Sequence, residues 1–273
     1  MNGKPVSEIT VHEIINFTSA FSHKLLCDSG LVFSLGSACA YSCPYCYVES
    51  IVRKHPEVVK LRLDLNRLGL KFEDVVIVRN AALDVIREQL TVRKPARVDL
   101  QKRSVIFNSH LVDPAPNVQM AKQTAEACRI ILELTNWDMR LLFKTNLLPK
   151  VAEQIPEEFK HRLIYGVSTG TLDDNLAKAL QKRTPLVSKR LESLHQLQDM
   201  GLRTYRMICP SLPQDDYDGF AKDMATRRGR PTSRIRVRKM VNFFMEESFH
   251  GKGSRRPRTI ADAGPAGFGV SFF

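Results

Sequence analysis

Three cysteines lie within eight residues, in the run Cys39-Ala40-Tyr41-Ser42-Cys43-Pro44-Tyr45-Cys46-Tyr47. Thiolate sulfur is a soft ligand suited to zinc and to iron–sulfur clusters, and gaps this short let a single loop wrap one inorganic centre. The loop offers three ligands where a closed structural site takes four, so one metal corner is left for a substrate or cofactor. A zinc site would normally pair such a spacing with a second ligand pair, and the sequence shows none. The apolar run Leu31–Leu35 just before it reads as a buried strand that delivers the loop.

The downstream pattern is α/β. Strands are expected at 74–78, 104–108, 139–143, 163–168 and 204–209, and helices at 81–90, 118–134, 149–159, 173–180 and 186–200, with another starting near Val48. Leu191, Leu194, Leu197 and Met200 recur at helical spacing, and Gly201 stands where a C-cap belongs. Residues 7–27 read as a covering helix or an irregular lead-in, and residues 53–72 as an insertion or a solvent-facing helical excursion. Strands alternating with amphipathic helices imply a parallel sheet with right-handed crossovers. In barrel-like versions of that architecture, chemistry gathers at the C-terminal ends of the strands. Those ends carry Ser109, His110 and Asp113, then Lys144, then Ser168 and finally Cys209.

The motif Cys39-x-x-x-Cys43-x-Tyr45-Cys46-Tyr47 resembles that of the radical S-adenosylmethionine enzymes. Together with Asp113-Pro114, Lys144, Ser168 and Thr184-Pro185, it is most similar to spore photoproduct lyase and its DNA-repair photolyase-like relatives, over about residues 30–215. The resemblance implies a partial (β/α)6 TIM-like barrel. It implies a [4Fe–4S] cluster on Cys39, Cys43 and Cys46, whose fourth iron chelates S-adenosylmethionine. Ser109, Asp113, Lys144 and Ser168 become candidates for binding that cofactor, and Tyr45 and Tyr47 candidates for a radical relay. A reductant such as flavodoxin or ferredoxin is implied as partner, with a nucleic acid as one option for substrate. In the lyase a hydrogen-donating cysteine ends the second barrel strand, whereas this chain has Asn108-Ser109-His110 there. Repair of a thymine photoproduct is therefore not expected. Cys209 is a candidate substitute donor, with core packing the alternative reading of a lone cysteine beside apolar residues, and Cys27 and Cys128 are expected in the core.

The formal charge of +12 is concentrated at one end: residues 226–273 hold eleven Lys/Arg against three Asp/Glu, leaving +4 for the other 225 residues. Phosphate contact and a solvated, disordered end are equal readings of that tail. The expected organisation is thus a lead-in (1–29), a barrel core (30–225) and a basic tail (226–273). Either Met240–Met245 supplies a sixth strand, or the tail is an aberrant or truncated barrel end. The six cysteines, half of them clustered, argue for a reducing, cytoplasmic setting rather than a disulfide framework. No run approaches the roughly 18 apolar residues of a membrane span, and no secretory leader is apparent. The reading from a different class is a non-catalytic protein whose cysteines hold zinc and whose basic end binds nucleic acid.

Overall fold

The computed structural model describes residues 6–17, 30–39, 41, 43–93, 99–108 and 110–208. Expectations for Ser109, Cys27, Cys209 and the whole basic tail, including a sixth strand at Met240–Met245, lie outside these residues.

In chain order the elements are β1 (Val6–Ile9), β2 (Ile15–Phe17), β3 (Leu31–Phe33), β4 (Gly36–Ala38), α1 (Val48–Val52), α2 (Pro56–Arg67), β5 (Val76–Arg79) and α3 (Ala82–Thr91). There follow β6 (Val105–Asn108), α4 (Val118–Leu134), β7 (Asp138–Phe143), α5 (Leu148–Ala152), α6 (Glu157–Lys160), β8 (Leu163–Thr169), α7 (Asp174–Leu180), α8 (Val187–Asp199) and β9 (Thr204–Ile208). The larger sheet has the order β2-β3-β6-β7-β8-β9. Its strands β3, β6, β7, β8 and β9 run parallel, and only the edge strand β2 is antiparallel. This is the α/β fold the periodicity implies, and its consecutive parallel strands with covering helices are compatible with a partial TIM-like barrel.

Alternation along these strands sorts residues onto two faces. Leu31, Phe33, Ile106, Leu141, Phe143, Tyr165 and Val167 join the main core with the buried stripes of α4, α5 and α8. Val32, Phe107 and Leu142 form a smaller cluster with Tyr205 and Met207. Gly166 lies against that cluster: a Cβ there would stand 2.2 Å from the Tyr205 ring, so the absence of a side chain is what admits the ring. Cys128 is fully buried in the main core, as expected.

Helix ends follow their local chemistry. Asn117 caps α4 by accepting from Met120 N–H. Gly201, at φ +76°, closes α8 with a Schellman pair, Leu202 N–H to Leu197 O and Gly201 N–H to Gln198 O. The guanidinium of Arg162 gathers the carbonyls of Leu132, Thr135 and Trp137, which fastens the end of α4 to the start of β8.

Three readings of the sequence need correction. Residues 6–17 hold two short strands rather than a helix; β2 is secured by Gln89 of α3, which bonds the N–H of Ile14 and Ile15 and the carbonyl of Ile15. The stretch 149–159 breaks into α5 and α6, because Pro156 cannot continue a helix. The cysteine loop does not leave β3 directly. The chain first forms β4, which pairs antiparallel with β5 in a second sheet of order β1-β5-β4. That strand was invisible because Gly36-Ser37-Ala38 carries no β-branched or aromatic residue. Among the described residues, no helix is long and apolar enough to cross a membrane.

The ladder leading into the cysteines depends on Gly36, where a Cβ would meet the Ile77 carbonyl oxygen at 2.6 Å. Backbone cannot yield as a side chain can. Gly36→Val is therefore expected to cost about 1–3 kcal/mol, read as a lower urea midpoint with an unchanged slope.

Candidate functional site

Cys39, Cys43 and Cys46 are free thiols, the first two half-buried and the third exposed. A turn bonds Cys46 N–H to Cys43 O at 2.9 Å, and α1 begins two residues later. Burial pushes the Cys39 thiol up to about 12; a hydrogen bond from Tyr41 N–H pulls the other way, and Asp113, Cys43 and Cys46 add to the rise. A metal loading here must therefore displace a proton from Cys39. Among the described residues no three His, Cys, Asp or Glu side chains converge as for a single ion. A cluster that takes one thiolate per iron does not ask for such convergence.

The loop is tied to the ends of two parallel strands through its tyrosines. The Tyr47 hydroxyl donates to His110 O at 2.8 Å, just beyond β6. The ammonium of Lys144, just beyond β7, donates to the Tyr45 hydroxyl at 3.1 Å and lies 4.6 Å from the centre of its ring. Asp113 in turn fixes Lys144: its buried carboxylate accepts Lys144 N–H on one oxygen and Ala115 N–H on the other, the latter at 2.9 Å. Burial raises the Asp113 carboxyl to about 6 despite these bonds and the nearby Arg190 and Lys144 charges. Three of the expected residues, Tyr45, Asp113 and Lys144, thus form one connected unit. Tyr47 joins the same mouth from the β6 side, and Ser168, next to last in β8, is buried at 3 % exposure.

Sequence reasoning missed Arg190. Its side chain is fully buried and donates to Ser168 O (3.2 Å), Pro185 O (2.8 Å), Gln181 Oε1 (2.8 Å) and Thr184 Oγ1. This explains why Thr184-Pro185 opens α8: the turn supplies two of the four acceptors. The missed signal was an arginine one residue before Leu191, on the same apolar stripe as Leu194 and Leu197. A charge there must be paired inward.

Beside the Tyr47 tether, His110 Nδ1 lies 3.1 Å from Ser34 Oγ. Burial, and next the Arg79 guanidinium, hold the imidazole down to about 3, so it is neutral near pH 7. Arg79 donates to Ser34 O at 3.2 Å and to Ser37 Oγ at 3.4 Å. At the end of β6, both amide atoms of Asn108 are buried with no hydrogen-bond partner among the described residues. An orphaned buried amide is costly, and alternation puts this one on the face of Ile106, beside Phe33 and Leu141 of the main core. Free thiols on one loop and polar groups at successive strand ends fit a cluster with a polar nucleoside cofactor.

No family model matches the chain. The uncharacterized protein ORF301 of Acidianus two-tailed virus is 22% identical over 219 residues, covering 72% of this chain and 64% of that protein. Among solved structures, spore photoproduct lyase complexed with dinucleoside spore photoproduct aligns at TM-score 0.54 and 13% identity, covering 80% of this chain and 55% of that one. A variant of the lyase with bound AdoMet and the same dinucleoside aligns at TM-score 0.55, again at 13% identity and with the same coverage. The chain therefore shares a fold with spore photoproduct lyase and spans about half the length of the lyase chain.

His110 and Asp113 impose opposite pH dependences. A His held at about 3 when folded, against an ordinary 6.5, adds stability as pH rises through that window; a carboxyl raised from 3.8 to about 6 loses it between those values. Between pH 4 and pH 6 the two windows overlap and, at about 1.4 kcal/mol per pH unit each, nearly cancel. Stability in urea should therefore change little over that range. His110→Gln should make it fall with rising pH and Asp113→Asn should make it rise; parallel profiles for all three proteins would contradict the assignment.

Proposed function

We propose that this chain is a radical S-adenosylmethionine enzyme. The observation that carries the reading is a three-thiol loop tied by Tyr45 and Tyr47 to the C-terminal ends of two parallel strands. Cys39, Cys43 and Cys46 would each ligate one iron of a [4Fe–4S] cluster. When bound, that cluster and S-adenosylmethionine supply a 5′-deoxyadenosyl radical able to abstract hydrogen.

The chain's own residues hold and shield. Lys144, with its backbone fixed by Asp113, presents a cation at the mouth for the cofactor carboxylate. Ser168, with its carbonyl held by Arg190, and Ser109 supply hydroxyls for the amino and ribose groups. Asp113 acts mainly by placing Lys144, since each of its oxygens already accepts a backbone N–H. Tyr45 and Tyr47 seat the loop, and their phenols stand on the path a relayed radical would take.

The solved neighbours are complexed with a dinucleoside photoproduct, which favours a nucleic-acid substrate in this reading. The chemistry on it departs from the lyase. His110 stands at the β6 end, where the resemblance places a donor thiol, and neither its N–H nor a hydroxyl is weak enough to replace S–H. Cys209 is the donor this reading assigns, and a reductant such as flavodoxin or ferredoxin supplies the electron.

Anaerobic reconstitution with iron and sulfide tests the proposal. The protein should turn brown, absorb near 400 nm, hold about four irons per chain and release 5′-deoxyadenosine and methionine under dithionite. Cys43→Ala should abolish both the colour and the products while leaving the unfolding midpoint of the metal-free protein within about 1 kcal/mol. A colourless protein holding zinc would establish the non-catalytic alternative instead.

A further inference from the structure

We propose that Cys43 and Cys46 are also a redox pair: in the metal-free loop they close to a disulfide, and that link bars metal until it is reduced. The gating consequence rests on the three-thiol cofactor reading, whereas the pairing itself rests on the geometry of the turn.

The turn brings two of the three cysteines together and leaves the third outside. Cys46 N–H bonds Cys43 O at 2.9 Å across Pro44 and Tyr45. That bond closes a four-residue β-turn with proline at the second position, where its fixed φ is preferred. Such a turn holds its first and last Cα atoms within about 7 Å, and a disulfide spans roughly 4.4–6.8 Å between Cα atoms. Closing the link therefore asks for side-chain rotation and little movement of the chain. Cys39 is placed differently, directly after β4, whose pairing with β5 fixes the backbone that leads into it.

Access and support favour the same pair. Cys46 is exposed and Cys43 half-buried, so a small disulfide in solution reaches the turn, whereas Cys128 is enclosed in the core. Tyr45, inside the turn, is held by Lys144, and Tyr47, directly after it, by the His110 carbonyl. Neither contact uses a sulfur atom. The turn thus keeps its seat whether the two thiols are free or joined.

The oxidant is a low-molecular-weight disulfide of the glutathione class. The Cys46 thiolate attacks one of its sulfurs, the S–S bond breaks, and one glutathione leaves as the thiolate. Cys43, deprotonated in turn, attacks the Cys46 sulfur, which forms the internal bond and expels the second glutathione. Two electrons pass from the protein dithiol to the oxidant, and the two thiol protons end on the departing glutathiones. Metal ligation needs thiolates, so the joined turn withholds two of the three ligands. Excess reduced glutathione reverses the exchange.

The test incubates metal-free protein with glutathione disulfide under nitrogen, maps the links by tandem mass spectrometry of the digest, and measures iron uptake in parallel. Wild type and Cys39→Ser should both yield a peptide with an internal Cys43–Cys46 link, two hydrogens lighter than its reduced form. Cys43→Ser should stop at a glutathione adduct on Cys46. Oxidised wild type should take up roughly tenfold less iron than the reduced protein, and dithiothreitol should restore uptake. A link to Cys39, glutathione adducts alone on wild type, or loss of the link in Cys39→Ser would overturn the pairing. Equal iron uptake by oxidised and reduced protein would overturn the gate. If the reduced wild type takes up no iron, the cofactor reading and the gate fall together, while the mapped link still decides the pairing.

Discussion

Two phenols decide where the cysteine loop sits. A loop of nine residues rich in small side chains has little core of its own, and β4 delivers it from a different sheet than the one whose mouth it covers. The Tyr47 bond to the β6 end and the Lys144 contact with Tyr45 at the β7 end bring it back. Each is a single hydrogen bond, modest in net worth, but the second involves a cation both bonded to the hydroxyl and near the ring face, which strengthens it. Without these ties the thiols and the strand ends would be two unrelated features of one chain.

Beneath the loop the charges are arranged by desolvation. Arg190 is wholly enclosed and donates to four neutral oxygens, so its charge is spread over dipoles, with the Asp113 carboxylate nearby but not bonded to it. Arg79 is likewise served by a carbonyl and a hydroxyl, and burial lowers it to about 10. Asp113 spends both oxygens on backbone N–H groups. This pattern leaves a mouth whose fixed potential leans positive, and it keeps His110 neutral. An anionic or zwitterionic ligand is the natural complement of such a field.

The parallel strands and most helix limits could be read from the chain because each relies on local pattern: apolar runs in β7 and β8, a leucine stripe with a glycine stop in α8. The three ligands and the strand-end residues were legible for a similar reason, being motif and position. What could not be read depends on partners far away in sequence. β4 exists only because Gly36 allows contact with Ile77, and β2 only because Gln89 reaches it across more than seventy residues. Arg190 looked like an ordinary helical surface charge until its four acceptors converged. The division of labour between Asp113 and Lys144 was equally hidden, since composition does not say which side chain meets a ligand and which meets the backbone.

That last detail separates scaffold from reactivity. The carboxylate of Asp113 grips the main chain of residue 144 and not its ammonium group. The strand terminus therefore keeps its place whatever side chain it carries, so natural variation at this one position could retune the affinity of the mouth for its guest while the architecture around it stays intact.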